Sequence, residues 1–191
     1  MPPVSPAIPA TTAFHTGRLL LRPYVPADAP AFFQLLDRHR ARLRQAFPDR
    51  TNTIYGLPAA ARALAGFARD WDSGRFYVFG IWAHGTGAYL GDICLMPKPD
   101  EAAEIGYYLA PEAEGQGYAR EALGAIVGFG FAAVGARRLL IRCYQDNPRA
   151  HAVAEALGFR VWKTTPPPRR HWWSGSAPIE PVILHFALER G

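Results

Sequence analysis

The residues best suited to chemistry lie in a glycine-rich turn, residues 114–119 (EGQGYA), between a β-rich segment and an apolar segment with helical periodicity. The first N–H groups of a helix have no intrahelical acceptor, and the helix dipole adds positive partial charge there. Because Gly115 and Gly117 lack a Cβ atom, an anion can approach the main chain closely. The pattern therefore predicts a site for phosphate oxygens. Taken alone, the short motif fits a structural turn at least as well.

Two common phosphate-binding motifs do not fit this turn. The motif GxxxxGK[ST] needs a lysine that the sequence lacks here. The dinucleotide motif needs a third glycine and a later acidic residue, which GQGYAR does not supply. Any phosphate site at this turn therefore depends on main-chain donors.

The turn must be positioned by elements whose composition alternates between β-rich and helical segments. Apolar residues at helical spacing predict four helices. The first begins at residue 26 and includes the apolar positions up to Leu43, and the others cover residues 58–72, 117–134 and 148–157. Together with the β-rich segments this gives the order β-α-α-β-β-β-α-β-α-β-β, which indicates an α/β (α+β) fold with a mixed sheet and helices on both faces. The predicted strands are 18–24, 76–83, 88–96, 103–109, 138–144, 159–162 and 181–188.

The length of 191 residues fits one domain. Residues 1–16 are expected to form a flexible N-terminal tail, and residues 17–191 a single domain. The tail lacks the basic and apolar regions of a signal peptide, and no apolar run approaches the ~20 residues of a membrane span. These features predict a cytoplasmic protein. Cys94 and Cys143 lie in apolar runs and are expected to be buried and reduced.

The segments together resemble the GNAT N-acetyltransferase superfamily, and within it the RimJ/RimL-type ribosomal-protein N-acetyltransferases. The resemblance is carried by RLLLRPYVPADAPAFFQLL, FGIW, EIGYYLAPEAEGQGYAREAL and NPRAHAVAEALGF. It implies a six-to-seven-stranded sheet that splays open after the strand 104–109. It also implies that acetyl-CoA lies in the opening and gives its acetyl group to a primary amine, such as a protein N-terminal α-amine, and that a homodimer can form.

The same resemblance implies a set of cofactor-binding residues. The main chain near Tyr108, Leu109 and Ala110 would bind the pantetheine arm like an additional strand, and the N–H group near Leu109 would stabilise the oxyanion. Asn147 would contact the same arm after the next strand. The pyrophosphate would lie on the turn and the helix start, at Gly115, Gln116, Gly117, Tyr118, Ala119 and Arg120.

Three positions depart from the family pattern. Glu114 stands where relatives carry Gln or Arg; it is expected to point to solvent, with Arg120 restoring positive charge. Ala150 and Ala154 stand where many relatives carry polar side chains, one of them a tyrosine that protonates the leaving thiolate. The general acid is therefore unassigned, and a non-catalytic acyl-CoA-binding or sensor protein of the same fold is the alternative function.

Glu104 is the candidate general base, because it lies on the strand that borders the acetyl group and matches the family's E-I-G-Y pattern. It would act directly or through a water molecule, and a salt-bridged structural Glu is the alternative. Asp92 is interpreted as lining the acceptor side or facing solvent. Trp172 and Trp173 are interpreted as an acceptor pocket, a dimer contact or ordinary packing.

Composition excludes some other functions. The net charge of +5 tolerates an anionic ligand, but no sequence motif indicates nucleic-acid binding. The arginines at 38, 40, 42 and 44 would wrap around a helix and are interpreted as a solvated surface or a basic patch. No His, Cys, Asp or Glu cluster has the spacing of a metal site, so no metal is expected.

Overall fold

A single mixed sheet organises the chain in the computed structural model, which describes residues 8–44, 46–166 and 181–191. The described sheet has eight strands in the order β1-β2-β3-β4-β5-β6-β8-β7. The strands are β1 Phe14–His15, β2 Leu19–Arg22, β3 Tyr77–Ala83, β4 Tyr89–Lys98, β5 Ala102–Leu109, β6 Arg138–Tyr144, β7 Arg160–Thr165 and β8 Ile183–Glu189. The helices are α1 Ala29–Arg38, α2 Arg40–Leu43, α3 Pro48–Thr53, α4 Leu57–Asp72, α5 Tyr118–Ala132 and α6 Pro148–Glu155.

This architecture confirms the mixed α/β fold, with three differences in detail. The sheet has eight strands where six to seven were expected, because Phe14 and His15 form β1 by pairing with β2 within the expected tail. A strand of two residues is too short to show an alternating pattern, and Phe14 is held by ring contacts with Phe79 and Phe129. In addition, α2 is a separate helix from the one predicted up to Leu43, and α3 was not predicted, because four and six residues do not show a helical period.

The sheet splays open between β5 and β6, its one parallel pair among the described strands. Pairing runs from Ala102 and Arg138 only as far as Ile105 and Ile141. Beyond that point β5 stays paired with β4, and β6 stays paired with β8. Each strand thus keeps a partner on its outer side and none on its inner side. We call the space between residues 106–109 and residues 142–144 the strand gap.

A bulge in β4 brings that strand unusually close to the end of β5. The register between β3 and β4 shifts between Ile81 and Trp82, opposite Gly91 and Tyr89. A Cβ atom on Gly91 would lie 2.1 Å from the carbonyl oxygen of Tyr108, so only glycine fits there. The contact fixes the end of β5 at the point where the strand gap begins.

Two apolar cores lie on opposite faces of the sheet. On the α5–α6 face, Leu123 and Ile126 of α5 pack against Ile105 and Leu109. On the α1–α4 face, the core includes Tyr108 together with a set of helical residues. Successive side chains of β5 therefore reach different cores, as strand geometry requires. The helical residues of the α1–α4 face include Phe32, Leu36, Leu43 and Leu64.

Candidate active site

The turn between β5 and α5 adopts the backbone shape that the glycine pattern predicts. We call residues 114–120 the glycine loop. Gly115 has a φ of 74° and Gly117, the N-cap of α5, has a φ of 81°. Both values lie in the left-handed region that L side chains rarely adopt. A Cβ atom on Gly115 would meet no protein atom within 4 Å, so the space beside this residue is open.

The main-chain donors of the glycine loop are unpaired. From Gly115 through Arg120, no N–H group has a hydrogen-bond acceptor within the described part of the chain. The first N–H group of α5 with an acceptor belongs to Glu121, which donates to the Gly117 carbonyl at 3.1 Å. Unpaired N–H groups at the positive end of a helix favour a bound anion.

The other side of the glycine loop is held by Arg18. Its Nη1 donates to the carbonyl oxygen of Gln116 at 2.8 Å, and its Nε donates to the Glu121 carboxylate at 2.8 Å. The guanidinium also lies over the Tyr118 ring, 4.6 Å from its centroid. Arg18 thus fixes the loop through a carbonyl and leaves the N–H groups free. The sequence analysis missed this role because the contact spans about a hundred residues.

Glu114 does not point freely to solvent, so that prediction is wrong. Its carboxylate lies between Arg42 of α2 and Arg149 of α6, with Arg149 Nη1 at 2.6 Å from Oε2. Two guanidinium groups therefore face one carboxylate beside the glycine loop. Arg120, expected to restore the charge, is exposed and forms no ion pair with any described residue. Both partners of Glu114 are distant in sequence, which is why the pattern did not reveal them.

The inner side of β5 presents main-chain groups to the strand gap. Ala110 donates its N–H to Leu90 of the β4 side at 2.8 Å. Because neighbouring N–H groups of a strand point to opposite sides, those of Leu109 and Tyr107 point toward β6. No strand pairs with them there, since the β5–β6 ladder ends at Ile105.

Asn147 caps the start of α6 on the other side of the strand gap. Its Oδ1 accepts a hydrogen bond from the N–H of Ala150 at 3.2 Å. Its side-chain amide nitrogen has no partner among the residues that the structure describes. Ala154 of the same helix is fully buried in the core of the α5–α6 face. No side chain at 150 or 154 can donate or accept a proton.

Glu104 lies on the α1–α4 face, one residue before the last β5–β6 pair. Arg142 Nε donates to its Oε1 at 2.6 Å, and Lys98 Nζ lies 3.5 Å from its Oε2. Arg142 comes from β6, so this ion pair crosses the narrow end of the strand gap. Glu104 therefore has the ion pairs that the alternative of a salt-bridged structural Glu predicts, and each of its oxygens keeps a further lone pair that could accept a proton.

A buried polar cluster lies on the same α1–α4 face of the sheet. It consists of Tyr24, Arg50, Tyr89, Asp92 and Tyr108. Asp92 is fully buried, so the prediction that it faces solvent is wrong. Its Oδ2 accepts hydrogen bonds from Arg50 at 2.5 Å and from Tyr24 at 3.0 Å. Burial raises the pKa of Asp92, while the Arg50 charge opposes that rise. Arg50 lies on the short helix α3, which was not predicted, so the sequence pattern contained no signal for this pair.

A separate cleft of about 710 Å³ lies on the other side of the glycine loop. It is bordered by Gln34 of α1, by His84 in the β3–β4 turn and by Gln116. Neither Gly115, Gly117 nor Asn147 lines it. The cleft thus adjoins the glycine loop at Ala110, Gln116 and Tyr118, but it opens away from the strand gap, where the unpaired main-chain groups of β5 lie.

Other sequence expectations concern metals, membranes and the tryptophan pair. Among the described residues, no group of three or more His, Cys, Asp or Glu side chains is arranged to hold a metal ion. No described helix has both the length and the apolar character needed to cross a membrane. Cys94 and Cys143 are buried and form no disulfide, as predicted. Trp172 and Trp173 lie outside the described residues.

Comparison with known proteins places this geometry in a family. The family model for the acetyltransferase (GNAT) domain matches residues 18–160. The chain is 28% identical over 154 residues to the uncharacterized N-acetyltransferase YoaA of Bacillus subtilis, covering 76% of this chain and 81% of that protein. It is 38% identical over 60 residues to the ribosomal-protein-serine acetyltransferase of Escherichia coli, covering 31% of this chain and 34% of that protein.

Solved structures show the same fold. The structure of RimL, a ribosomal L7/L12 alpha-N-protein acetyltransferase in complex with coenzyme A, superposes with a TM-score of 0.78 at 22% identity. That superposition covers 93% of this chain and 98% of the RimL chain. The predicted family resemblance is confirmed by the family match and by these structural relatives. With its splayed sheet and its domain match over residues 18–160, the chain belongs to the GNAT acetyltransferase family.

Proposed function

We propose that this protein transfers an acetyl group from acetyl-CoA to a primary amine, and that a protein N-terminal α-amine is its acceptor. The observation that carries the proposal is the continuous run of unpaired N–H groups from Gly115 through Arg120 beside an open strand gap. Names of relatives, such as ribosomal-protein-serine acetyltransferase, support the choice of acceptor.

The glycine loop would bind the pyrophosphate through main-chain N–H groups. Because Gly115 has no Cβ atom and no protein atom lies where one would be, phosphate oxygens have room to approach the main chain there. Asn147 would donate its free side-chain amide to the pantetheine arm, and Arg120 would add positive charge. The arm would extend along Tyr108, Leu109 and Ala110 as an additional strand. The loop residues proposed to contact the pyrophosphate are Gly115, Gln116, Gly117, Tyr118 and Ala119.

The reaction requires a neutral amine. An α-amine with a pKa of ~8 is roughly 10% neutral at pH 7, whereas a lysine with a pKa of ~10.4 is neutral about once in 2500 molecules. An α-amine thus demands less of the general base. This difference favours a protein N-terminus over a lysine side chain as the acceptor.

The strand gap supplies the remaining chemistry. As the amine attacks, the N–C bond forms, negative charge develops on the carbonyl oxygen, and the N–H of Leu109 would stabilise it. The C–S bond then breaks and its electron pair goes to sulfur. Glu104 would take the proton of the amine through a water molecule, because its own oxygens contact Arg142 and Lys98.

One observation favours a second candidate function, an acyl-CoA-binding protein that does not catalyse transfer. The candidate base Glu104 is ion-paired, and the positions 150 and 154 carry alanine. Such a protein would bind acetyl-CoA through the same loop but release no thiol in the presence of amines.

A screen for thiol release from acetyl-CoA across peptide N-termini and small amines tests the proposal. We expect release with peptides that carry a free α-amine and none with the same peptides acetylated at that amine. Calorimetry with acetyl-CoA alone provides the second measurement. Binding without release across the panel would establish the non-catalytic alternative, and absence of binding would exclude both functions.

The role of Glu104 has its own test. In Glu104→Gln, we expect kcat at saturating acceptor to fall about 100-fold near neutral pH and the loss to shrink as pH rises. Activity that is unchanged over the pH range would exclude Glu104 as the base. Glu189→Gln is the matched control, because Glu189 pairs with Arg138 on the neighbouring strands far from the strand gap.

A further inference from the structure

Tyr107 of β5 has a buried hydroxyl group with no hydrogen-bond partner in the described part of the protein. Leaving a buried polar group unpaired costs about 1–3 kcal/mol. Such a group in a native protein calls for an explanation, and a bound ligand that supplies the partner is one. Asp92 is different, because its other oxygen already has two donors.

The position of Tyr107 places it on the wall of the strand gap. Ile105 is the last residue of β5 that pairs with β6, and Tyr107 follows it by two positions. The two side chains therefore point to the same face of the sheet. That face is the α5–α6 face, where Tyr107 packs against the core. Its main-chain partner on β4 is Ile93, and no partner exists on β6.

Cys143 marks the opposite wall. If the parallel register of Ile105 and Ile141 continued by two residues, Tyr107 would face Cys143 directly. The electrostatic environment agrees with this proximity, since burial first and the neighbouring Cys143 thiol second raise the pKa of Tyr107. The phenol therefore keeps its proton at neutral pH and can donate it in a hydrogen bond to an acceptor in the gap.

The helix on this side of the gap directs mainly apolar side chains inward. α6 turns Ala150, Val153 and Ala154 toward the core of the α5–α6 face, and none of these can form a hydrogen bond. Its His151 is already engaged, with Nε2 2.9 Å from the Tyr144 carbonyl oxygen. The hydroxyl of Tyr107 is thus an uncommitted side-chain donor on the α5–α6 face where the two strands separate.

We infer that the Tyr107 hydroxyl donates a hydrogen bond to the thioester sulfur and stabilises it as the C–S bond breaks. This inference rests on the proposed function. The amine nitrogen forms its bond to the acyl carbon, the electron pair of the C–S bond goes to sulfur, and the proton of the amine goes through a water molecule to Glu104. The thiolate takes a proton from water after release, and Tyr107 keeps its own proton throughout.

The principal test is Tyr107→Phe, which removes only the hydroxyl oxygen. We expect kcat to fall about 10- to 100-fold, while the KM and Kd for acetyl-CoA stay within about twofold. The free variant should be at least as stable as the wild type, because it loses a buried group without a partner. Tyr77→Phe is the matched control, because Tyr77 is also buried in this core but lies on β3. The kcat of the Tyr77→Phe variant should equal that of the wild type.

A binding measurement tests the inference without an acceptor. The ultraviolet absorbance of the thiolate reports the titration of bound CoA, and a donor to sulfur lowers the pKa of that thiol. We expect bound CoA in Tyr107→Phe to titrate about one pH unit higher than in the wild type, which is tenfold in ionisation.

The outcomes separate this inference from the proposed function. CoA that binds both proteins and titrates identically would overturn the role of Tyr107 and leave the proposed function intact. A tenfold loss of CoA affinity with unchanged kcat would also overturn it, because the hydroxyl would then serve the pantetheine arm. Absence of CoA binding to the wild type would remove the proposed function itself.

Discussion

Two polar regions flank the end of β5, and they differ in whether their polar groups have charged partners within the protein. The glycine loop leaves its N–H groups from Gly115 through Arg120 unpaired and close to solvent. The buried polar cluster encloses Asp92, whose charge is matched by Arg50 and by a tyrosine hydroxyl. Both regions carry strong polar groups, but only the first can still bind a ligand.

The difference teaches which polar residues to assign to function. A charge inside the core is tolerated when its partner is buried with it, and removing one partner is then costly. Donors at a helix start can stay unpaired because water or an anion reaches them. We therefore assign Asp92 a structural role and propose the glycine loop as a binding surface.

The largest effect is expected from Arg50→Met, which leaves the Asp92 carboxylate buried without its cation. We expect the free energy of unfolding to fall by about 3–5 kcal/mol, measured by urea denaturation. Arg75→Met is the control, because Arg75 pairs with Asp70 at the surface and its loss should cost less than about 1 kcal/mol. Equal losses in the two variants would contradict the distinction between the regions.

Gly115→Val should produce the largest effect on binding. The new side chain meets no protein atom but fills the space beside the unpaired N–H groups. We expect acetyl-CoA to bind about 100-fold more weakly by calorimetry, roughly 2.7 kcal/mol. Gly135→Val has a matched φ of 75° and should lose similar stability with unchanged affinity. A similar loss of affinity in both variants would show that strain alone explains the effect.

Arg18→Met removes the side chain that fixes the loop from its carbonyl side. Acetyl-CoA should bind about tenfold more weakly, or ~1.4 kcal/mol, because the loop must then be ordered on binding. Arg138→Met removes a surface pair with Glu189 and should leave the affinity unchanged. An unaffected affinity in Arg18→Met would mean that the loop holds its shape without this anchor.

Glu121 should make stability depend on pH in the acid range. Although burial opposes it, hydrogen bonds from Thr16 and Arg18 lower the pKa of Glu121 below its usual value of 4.5. A lowered pKa in the folded state stabilises the protein above that usual value, and the contribution is lost as pH falls through the folded pKa. As pH falls from neutral to below 4.5, the difference in the free energy of unfolding between wild type and Glu121→Gln should therefore shrink. Its size near pH 7 should be about 1 kcal/mol.

A matched acid change checks this pH dependence. Glu155 is exposed, and its side chain has no ion pair within the described ranges. Glu155→Gln, followed by the same urea titration, is the control for losing a carboxylate that lacks these hydrogen bonds. A pH-independent difference between Glu121→Gln and the wild type would contradict the contribution of the hydrogen bonds to Glu121.

The smallest effect is expected from Glu114→Gln, which frees Arg42 and Arg149 from their shared carboxylate. Acetyl-CoA should bind about threefold more tightly at low salt, and the gain should vanish near 1 M salt, where charges are screened beyond ~3 Å. Glu112→Gln removes the same charge two residues earlier and should change the affinity less. Weaker binding in Glu114→Gln would show that the carboxylate is needed to position the arginines.

Local patterns predicted the fold and the loop, whereas distant contacts escaped them. Strand β6 was predicted at residues 138–144, its observed bounds, and the glycines marked the turn before α5. These features depend on neighbours in sequence. The pairs of Glu114 with Arg149 and of Asp92 with Arg50 depend on how separate elements pack, so composition and periodicity carried no signal for them.

Backbone amide NMR during a titration with CoA tests the central claim most directly. We expect the N–H resonances from Gly115 through Arg120 and of Leu109 to shift saturably, while that of Gly135 stays constant. Saturable shifts confined instead to Gln34 and His84, which border the separate cleft, would contradict the assignment of the glycine loop to the cofactor.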